Sequence, residues 1–302
     1  MHSAHLCFAI LLNLSDGVKM IELKNKDAIV KINPIGAELK SMVCYNTRYI
    51  WEGNEENWKL SAPLMFPICG GLKDDKYIYC GKEYLLEKHG YIRFKTFEVE
   101  KISETSVTLL HKSDEQTKTS YPFDYELRVV YSLINKTLKI DYLVKNVSDE
   151  TMYFSIGSHE GYYTPEGIED YDVIFPQNET LTSNILYGNL LSSQQLPIIK
   201  DTNVLPLYNK YFMVDALVFR DIKSRSATLR NRKTGKSVRV DFPDDKYFLL
   251  WQKPNAPFIC LEPWGGIADR VGSSFDITKK EGIMTLGSNC EYTHTHSITI
   301  LE

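Results

Sequence analysis

An all-β protein, a large antiparallel sandwich with few short helices, is predicted by three features of the 302-residue sequence. From Asp27 onward, short segments of alternating apolar and polar residues follow one another, each cut off by turn-forming residues, as strands with one buried face require. Almost no stretch of about 12 residues keeps a helical period. Aromatic side chains, which favour strands, make up 12% of the chain. About fifteen candidate strands without intervening helices exclude a doubly wound parallel sheet or an α/β barrel.

Taken in order, Ala28 to Ile32 leads through Asn33-Pro34 and Gly36 into the apolar-rich stretch from Glu38 to Val43, which reads as strand, turn and strand. Within 51–60, Asn54 is placed to cap Glu55 and Glu56 in the first turn of one short helix. Segments 77–79 and 82–85 flank Cys80-Gly81, a two-residue hairpin signal. The clearest hairpin sets Tyr125, Leu127, Val129, Tyr131 and Leu133 against Leu138, Ile140, Tyr142 and Val144 across Asn135-Lys136. Polar residues fill most alternate positions there, so one face is buried and the other wet. Further strands are expected at 97–102, 107–111, 153–157, 171–175, 216–219, 227–231, 237–242, 247–251 and 297–301. The polar stretch 178–202 reads as an irregular excursion of the same domain.

With 43% hydrophobic and 25% charged residues, the chain has the composition of a soluble globular protein. A formal net charge of -4 provides no field to attract nucleic acid or an anionic membrane, so neither is expected as a partner. No apolar run approaches the roughly 18 to 20 residues of a membrane span. Cys7, Cys44, Cys69, Cys80, Cys260 and Cys290 show no CxxC spacing, which argues for reduced thiols in a cytoplasm over a zinc knuckle or a disulfide framework. The apolar run from Cys7 to Leu14 is short and has no basic residue before it, unlike a secretory signal. Residues 1–19 are read as an extension upstream of a second start at Met20, and 20–302 as one domain.

Chemistry concentrates at a few places. The run from Phe258 to Leu261 reads as a buried strand that delivers Glu262 directly before Pro263, Trp264, Gly265 and Gly266. A buried glutamate needs a cation, a hydrogen-bond donor or a substrate, so a capped turn or salt bridge stands beside a functional reading. His89 precedes Gly90, where a turn can bring the imidazole inward. His159 sits at a strand end between Gly157 and Gly161, the kind of loop on which sandwiches hold binding groups. Each histidine could equally be a satisfied structural one. His294 and His296 alternate on one strand face, as metal ligands do, but no Asp or Cys cluster adjoins them in sequence. His89, His159 and Glu262 can also be drawn as a two-histidine-one-carboxylate triad. Trp51, Trp58 and Trp251 read as core, and Trp264, beside Glu262, as a cleft wall.

The ordered set Asn33-Pro-Ile-Gly36-Ala37-Glu38-Leu39, Pro63-Leu-Met-Phe66-Pro67, Gly70 to Asp74, His89-Gly90-Tyr91-Ile92-Arg93, Gly157-Ser-His159, Asp215-Ala-Leu217 and Glu262-Pro263-Trp264-x-Gly266-x-x-Asp269 resembles the aldose 1-epimerase (galactose mutarotase) family. More narrowly it resembles the branch that includes LacX-type proteins, over nearly all of 20–302. The resemblance implies a galactose mutarotase-like β-supersandwich with an open cleft, acting on a small-molecule sugar as a monomer or homodimer, without metal or organic cofactor. It makes Glu262 the general base, His159 the general acid, His89 a substrate-binding and polarising group, and Asp215 a ligand of a sugar hydroxyl.

Two positions depart from the family pattern. Gly71 stands where many relatives carry an arginine that would clamp sugar hydroxyls or a phosphate. Lys73 or Arg93 is the expected substitute, although a lysine cannot copy bidentate geometry. Glu160 follows His159 where proline is common, and it is read either as a carboxylate beside the acid, favouring the imidazolium, or as a solvent-facing side chain. The function implied is interconversion of the α and β anomers of a hexose by acid/base ring opening and closure. The alternative is a carbohydrate-binding protein of the same fold with weak or no turnover, including one for a phosphorylated sugar, with Lys73, Lys88 and Arg93 as candidate cations. Glycoside hydrolysis normally needs two carboxylates, and only Glu262 is motivated.

Overall fold

In the computed structural model, which describes residues 11–13 and 19–301, alternation in the sequence becomes three main antiparallel sheets. The largest has nine strands in the order Leu190–Pro206, Tyr171–Tyr187, Ser226–Asn231, Ser237–Asp241, Glu291–Leu301, Thr137–Asn146, Tyr125–Ile134, Ser106–Lys112 and Glu98–Ile102. Its central hairpin has the register read from the sequence, with Leu127 opposite Val144, Val129 opposite Tyr142, Tyr131 opposite Ile140 and Leu133 opposite Leu138. All eight of these side chains are buried, because a period of two keeps them on the core face. The five-stranded sheet begins with Leu11–Asn13 paired to Lys19–Lys24 and continues through Ala28–Asn33, Glu38–Cys44 and Thr47–Arg48. The expectation for 1–19 otherwise falls on residues outside those described. The architecture is the large antiparallel all-β one, with few short helices, that the sequence predicts.

Four strands form a third sheet in the order Glu160–Tyr163, Phe258–Trp264, Tyr247–Trp251, Leu217–Phe219. Its alternation separates two environments. Phe219, Phe248, Leu250, Ile259 and Leu261 enter the main core shared with the large sheet. Val218, Leu249 and Trp264 point the other way, into a separate apolar cluster. All seven residues of Phe258–Trp264 are buried, and the strand continues past Leu261, so Glu262 lies within it rather than at its end.

The Cys80-Gly81 hairpin forms as expected between Lys76–Tyr79 and Lys82–Leu85, with both turn residues at positive φ (47° and 76°). Two expectations are corrected. No helix forms within 51–60: Asn54 does accept the amide of Asn57 through its side chain, but its own amide donates to the Trp58 carbonyl, so the chain loops back. The stretch 178–202 is not irregular; it is most of a long hairpin, Tyr171–Tyr187 with Leu190–Pro206. Register shifts interrupt its ladder, and many of its side chains are exposed. Both features erase the period-two signal that reveals other strands. The one α-helix among the described residues, Glu115–Lys118, is a single turn closed by a capping box between Asp114 and Thr117.

Candidate active site

Antiparallel pairing sets Leu249 opposite Glu262 and Trp251 opposite Cys260, and the outward face of the four-stranded sheet becomes the floor of a cavity of about 420 Å³. Glu262 and Trp264, two residues apart on one strand, share that face. His159, just before the adjoining strand, brings its Nε2 to 3.4 Å from Glu262 Oε2. The sequence therefore identified the pair, and the fold brings it together. Glu262 is 1% exposed, while the His159 side chain keeps 12% of its surface open.

Burial acts on the two groups in opposite directions. It raises the Glu262 carboxyl well above its usual range, opposed by the positive Lys88 and aided by the negative charges of Glu160 and Asp215. It pushes the His159 imidazole down from 6.5 to about 3, with the positive Lys88 and Arg93 adding to the shift. The neutral acid with a neutral imidazole and the carboxylate with an imidazolium contain the same single proton, so the pair is one titrating unit. Glu262 Oε1, His159 Nδ1 and Trp264 Nε1 are buried without a hydrogen-bond partner among the described residues. Orphaned polar atoms in a cavity wall are what a polar ligand would satisfy.

His89 lies across the cavity, its ring centroid 5.6 Å from that of His159 and 5.4 Å from that of Trp264. His89 has φ 67° and Gly90 φ 68°, and a Cβ on Gly90 would sit 2.2 Å from the Phe66 carbonyl oxygen, so that turn requires glycine. The Gly70 amide donates to His89 Nδ1 at 3.2 Å, and the His89 amide donates to the Gly70 carbonyl at 2.9 Å. With Nδ1 accepting, the ring proton resides on Nε2. Burial, with the charges of His159, Lys88 and Arg93, holds the imidazole well below its usual value and therefore neutral. His89 is thus a fixed neutral donor.

Asp215 and Arg93 also line the cavity. Arg93 donates to the Lys88 carbonyl at 2.8 Å, and burial lowers its pKa. Lys73 does not join them: its ammonium lies 4.9 Å above the Phe275 ring and its amide donates to Asp269, because the chain turns away from the cavity after Gly71. Lys88 takes its place in the wall. Glu160 follows neither expectation. It opens the strand that follows His159, points away from the cavity, is 2% exposed, and lies 2.9 Å from His296 Nε2 between the sheets. His294 pairs with Asp245 at 2.9 Å, so the two alternating histidines engage separate buried carboxylates.

Sequence reasoning missed two tryptophans. Trp58 and Trp251 were read as core, but they line the cavity with their rings 5.1 and 5.7 Å from His159. Trp51 is core, stacked on Phe258 at 5.0 Å. The cross-strand pairing of Trp251 with Cys260, two residues before Glu262, is the signal that would have found Trp251. The grouping that could be drawn from His89, His159 and Glu262 is not the one that comes together; side-chain atoms of His159, Cys260 and Glu262 lie within 4.8 Å of one another. A soft cation there would need the Cys260 thiolate, which burial strongly disfavours.

Comparison with known proteins then fixes the lineage, since the aldose 1-epimerase family model matches residues 19–279. The chain belongs to the aldose 1-epimerase family. The plasmid and chromosomal forms of protein LacX from Lactococcus lactis subsp. lactis are each 36% identical to it over 263 residues, 82% of this chain and 88% of theirs. A galactose mutarotase related enzyme from Lactobacillus acidophilus is similar in structure, with a TM-score of 0.89 at 33% identity, covering 94% of this chain and 97% of that one. A galactose mutarotase-like protein from Lactobacillus casei gives a TM-score of 0.88 at 28% identity, over 93% and 100% of the two chains. Among the described residues, no helix is long and apolar enough to cross a membrane.

Proposed function

We propose that the protein is a cofactor-independent aldose 1-epimerase that interconverts the α and β anomers of a hexose. The observation behind this reading is the Glu262 carboxyl 3.4 Å from the His159 imidazole in an aromatic-walled cavity. In the charged form of the pair, Glu262 takes the proton of the C1 hydroxyl while His159 gives one to the ring oxygen. The C1 to O5 bond breaks as the C1 carbonyl forms, and the neutral Nε2–H of His89 is available to polarise a substrate oxygen. The open aldehyde rotates about C1 to C2, and the reverse transfers close the ring on the other face.

Ring opening leaves Glu262 protonated and His159 neutral, the forms that burial favours. Desolvation thus makes Glu262 a stronger base and His159 a stronger acid than either is in water. Each contributes about 10²- to 10⁴-fold, sufficient for a reaction that already proceeds in water. Polarimetry of freshly dissolved α-glucose, α-galactose and their 6-phosphates against the spontaneous rate tests the reading. Acceleration of one or more is expected; measurable sugar binding without acceleration would favour a binding protein.

One observation favours an anionic sugar as the substrate. Lys88 and Arg93 line the cavity, and the Arg93 guanidinium donates to the Lys88 carbonyl at 2.8 Å, which places two cations side by side. A phosphorylated substrate would show a KM that rises with salt and with Arg93→Ala, whereas KM for a neutral hexose would respond weakly to salt.

A further inference from the structure

The tip of the long hairpin closes one side of the cavity, and it occupies the space beside Gly71. A Cβ on Gly71 would lie 2.7 Å from Asn189 Cβ and 3.0 Å from the Asn189 carbonyl oxygen, so no larger residue fits there unless the tip moves. Asn189 follows Gly188 in the turn between the two hairpin strands, and it lines the cavity together with Leu186 and Leu191. The carboxamide of Asn189 is exposed and makes no hydrogen bond among the described residues.

The tip is pinned, so the position of Asn189 is defined by structure rather than by the freedom of a loop. Leu191, 1% exposed, donates its amide to the Asp269 carbonyl at 2.8 Å and accepts from the Val271 amide at 3.0 Å. Asp269 in turn donates its amide to the Gly71 carbonyl at 2.9 Å. Its carboxylate accepts from the Lys73 amide and the Lys280 ammonium, each at 3.0 Å. One residue therefore clamps the glycine strip and the hairpin tip against each other, with Asn189 held at the cavity mouth opposite the sheet that carries Glu262.

We propose that Asn189 is a specificity-determining residue of this site: with its Cβ and backbone packed against Gly71, its carboxamide hydrogen-bonds a hydroxyl at the end of the sugar remote from the Glu262 and His159 pair. Gly71 is the partner of that arrangement, a residue without a side chain that admits the hairpin. The contact is neutral and two-sided, since an amide can donate and accept. It reads hydroxyl configuration, and it leaves the recognition of any charged substituent to Lys88 and Arg93. The inference rests on the sugar-site reading above.

The test is Asn189→Ala, assayed by polarimetry for KM and kcat and by calorimetry for sugar binding, with the accepted aldose and its single-deoxy analogues. A hydrogen bond of ordinary net strength corresponds to a change of about 3- to 10-fold. KM and Kd are expected to rise by that factor with kcat within about 2-fold. One deoxy analogue should bind more weakly than the parent sugar to the wild type but equally well to Asn189→Ala. Gly71→Ala, whose methyl would displace the clamped tip, should raise KM in the same direction and lower thermal stability. Unchanged KM and Kd in Asn189→Ala, or a deoxy series that discriminates equally in both proteins, would overturn the proposal while leaving the epimerase reading intact. Sugar binding with no acceleration by the wild type removes the enzyme reading alone, and the Kd series then decides the role of Asn189. Failure of every aldose to bind the wild type overturns both.

Discussion

The Glu262 carboxyl and the His159 imidazole lie 3.4 Å apart and largely buried, an arrangement that sets activity against stability. A carboxyl buried to 1% exposure without a full set of donors is a cost that catalysis would justify. Glu262→Gln keeps the shape and removes the charge. It is expected to lower kcat by about 10²- to 10⁴-fold in polarimetry, with a melting temperature equal to or above that of the wild type. A variant that kept most of its activity would remove Glu262 from the mechanism. The pH profile follows from the shared proton. A second proton on the pair at low pH leaves no base, and loss of the only proton at high pH leaves no acid, so kcat/KM should fall at both extremes around a plateau. A rate that climbed steadily with pH would mean that His159 is not the acid. At this scale the sequence was informative about residue identity: Glu262, His159 and His89 stood out through apolar runs and adjoining glycines. It was uninformative about direction, as Glu160 and Lys73 illustrate. A side chain's direction depends on strand alternation and on where the chain turns, and a loop boundary one residue away reverses it.

Single elements decide how the site is walled. The Phe258–Trp264 strand is buried on both faces, and its neighbours set which side chains accompany Glu262. The long hairpin closes the cavity from the far side, held by Asp269. Asp269 belongs to the motif that begins at Glu262, and its role here is structural. Its carboxylate lies 3.0 Å from the Lys280 ammonium, and the two side chains are only 5% and 3% exposed. Removing one member of a buried pair strands the other charge, so Asp269→Asn should cost about 3 to 5 kcal/mol in urea denaturation. An unchanged midpoint would show that Lys280 finds other partners. Beyond its first strand residues, 171–175, the hairpin was invisible to pattern reading, because exposed side chains and bulges leave no alternation to detect. The Asn54 signal was read correctly as a local hydrogen bond and wrongly as the start of a helix, since helix formation also needs propagation and packing.

For the molecule as a whole, the large sheet and the cleft sheet are joined by buried polar pairs as well as by the apolar core. His296 meets Glu160, and His294 meets Asp245, with the Tyr142 ring 6.1 Å from His294 and 5.4 Å from His296. Burial by itself would lower the His294 pKa, but the Asp245 carboxylate outweighs it and the net shift is upward from 6.5. Burial likewise raises Asp245. In both cases the folded state holds its proton more tightly than the unfolded chain does. For His294 the resulting stabilisation is complete below pH 6.5 and is lost as pH rises through the folded-state value. The melting temperature should therefore decline on the alkaline side of neutrality, and His294→Gln should flatten that decline while lowering stability at pH 6. A slope identical to the wild type would mean that His294 does not carry the effect.

The sequence by itself determined the fold class, the register of the central hairpin and three residues, Glu262, His159 and His89, that the fold gathers at one cavity. These follow from the local period of apolar residues and from glycines and prolines at fixed offsets, which short segments encode. Only the tertiary structure decided that Trp58 and Trp251 wall the cavity, that Glu160 serves the core and that Asn189 fills the space beside Gly71. Each of those contacts joins segments far apart in the chain. Their geometry is set by how sheets twist and pack against one another, which no local pattern records.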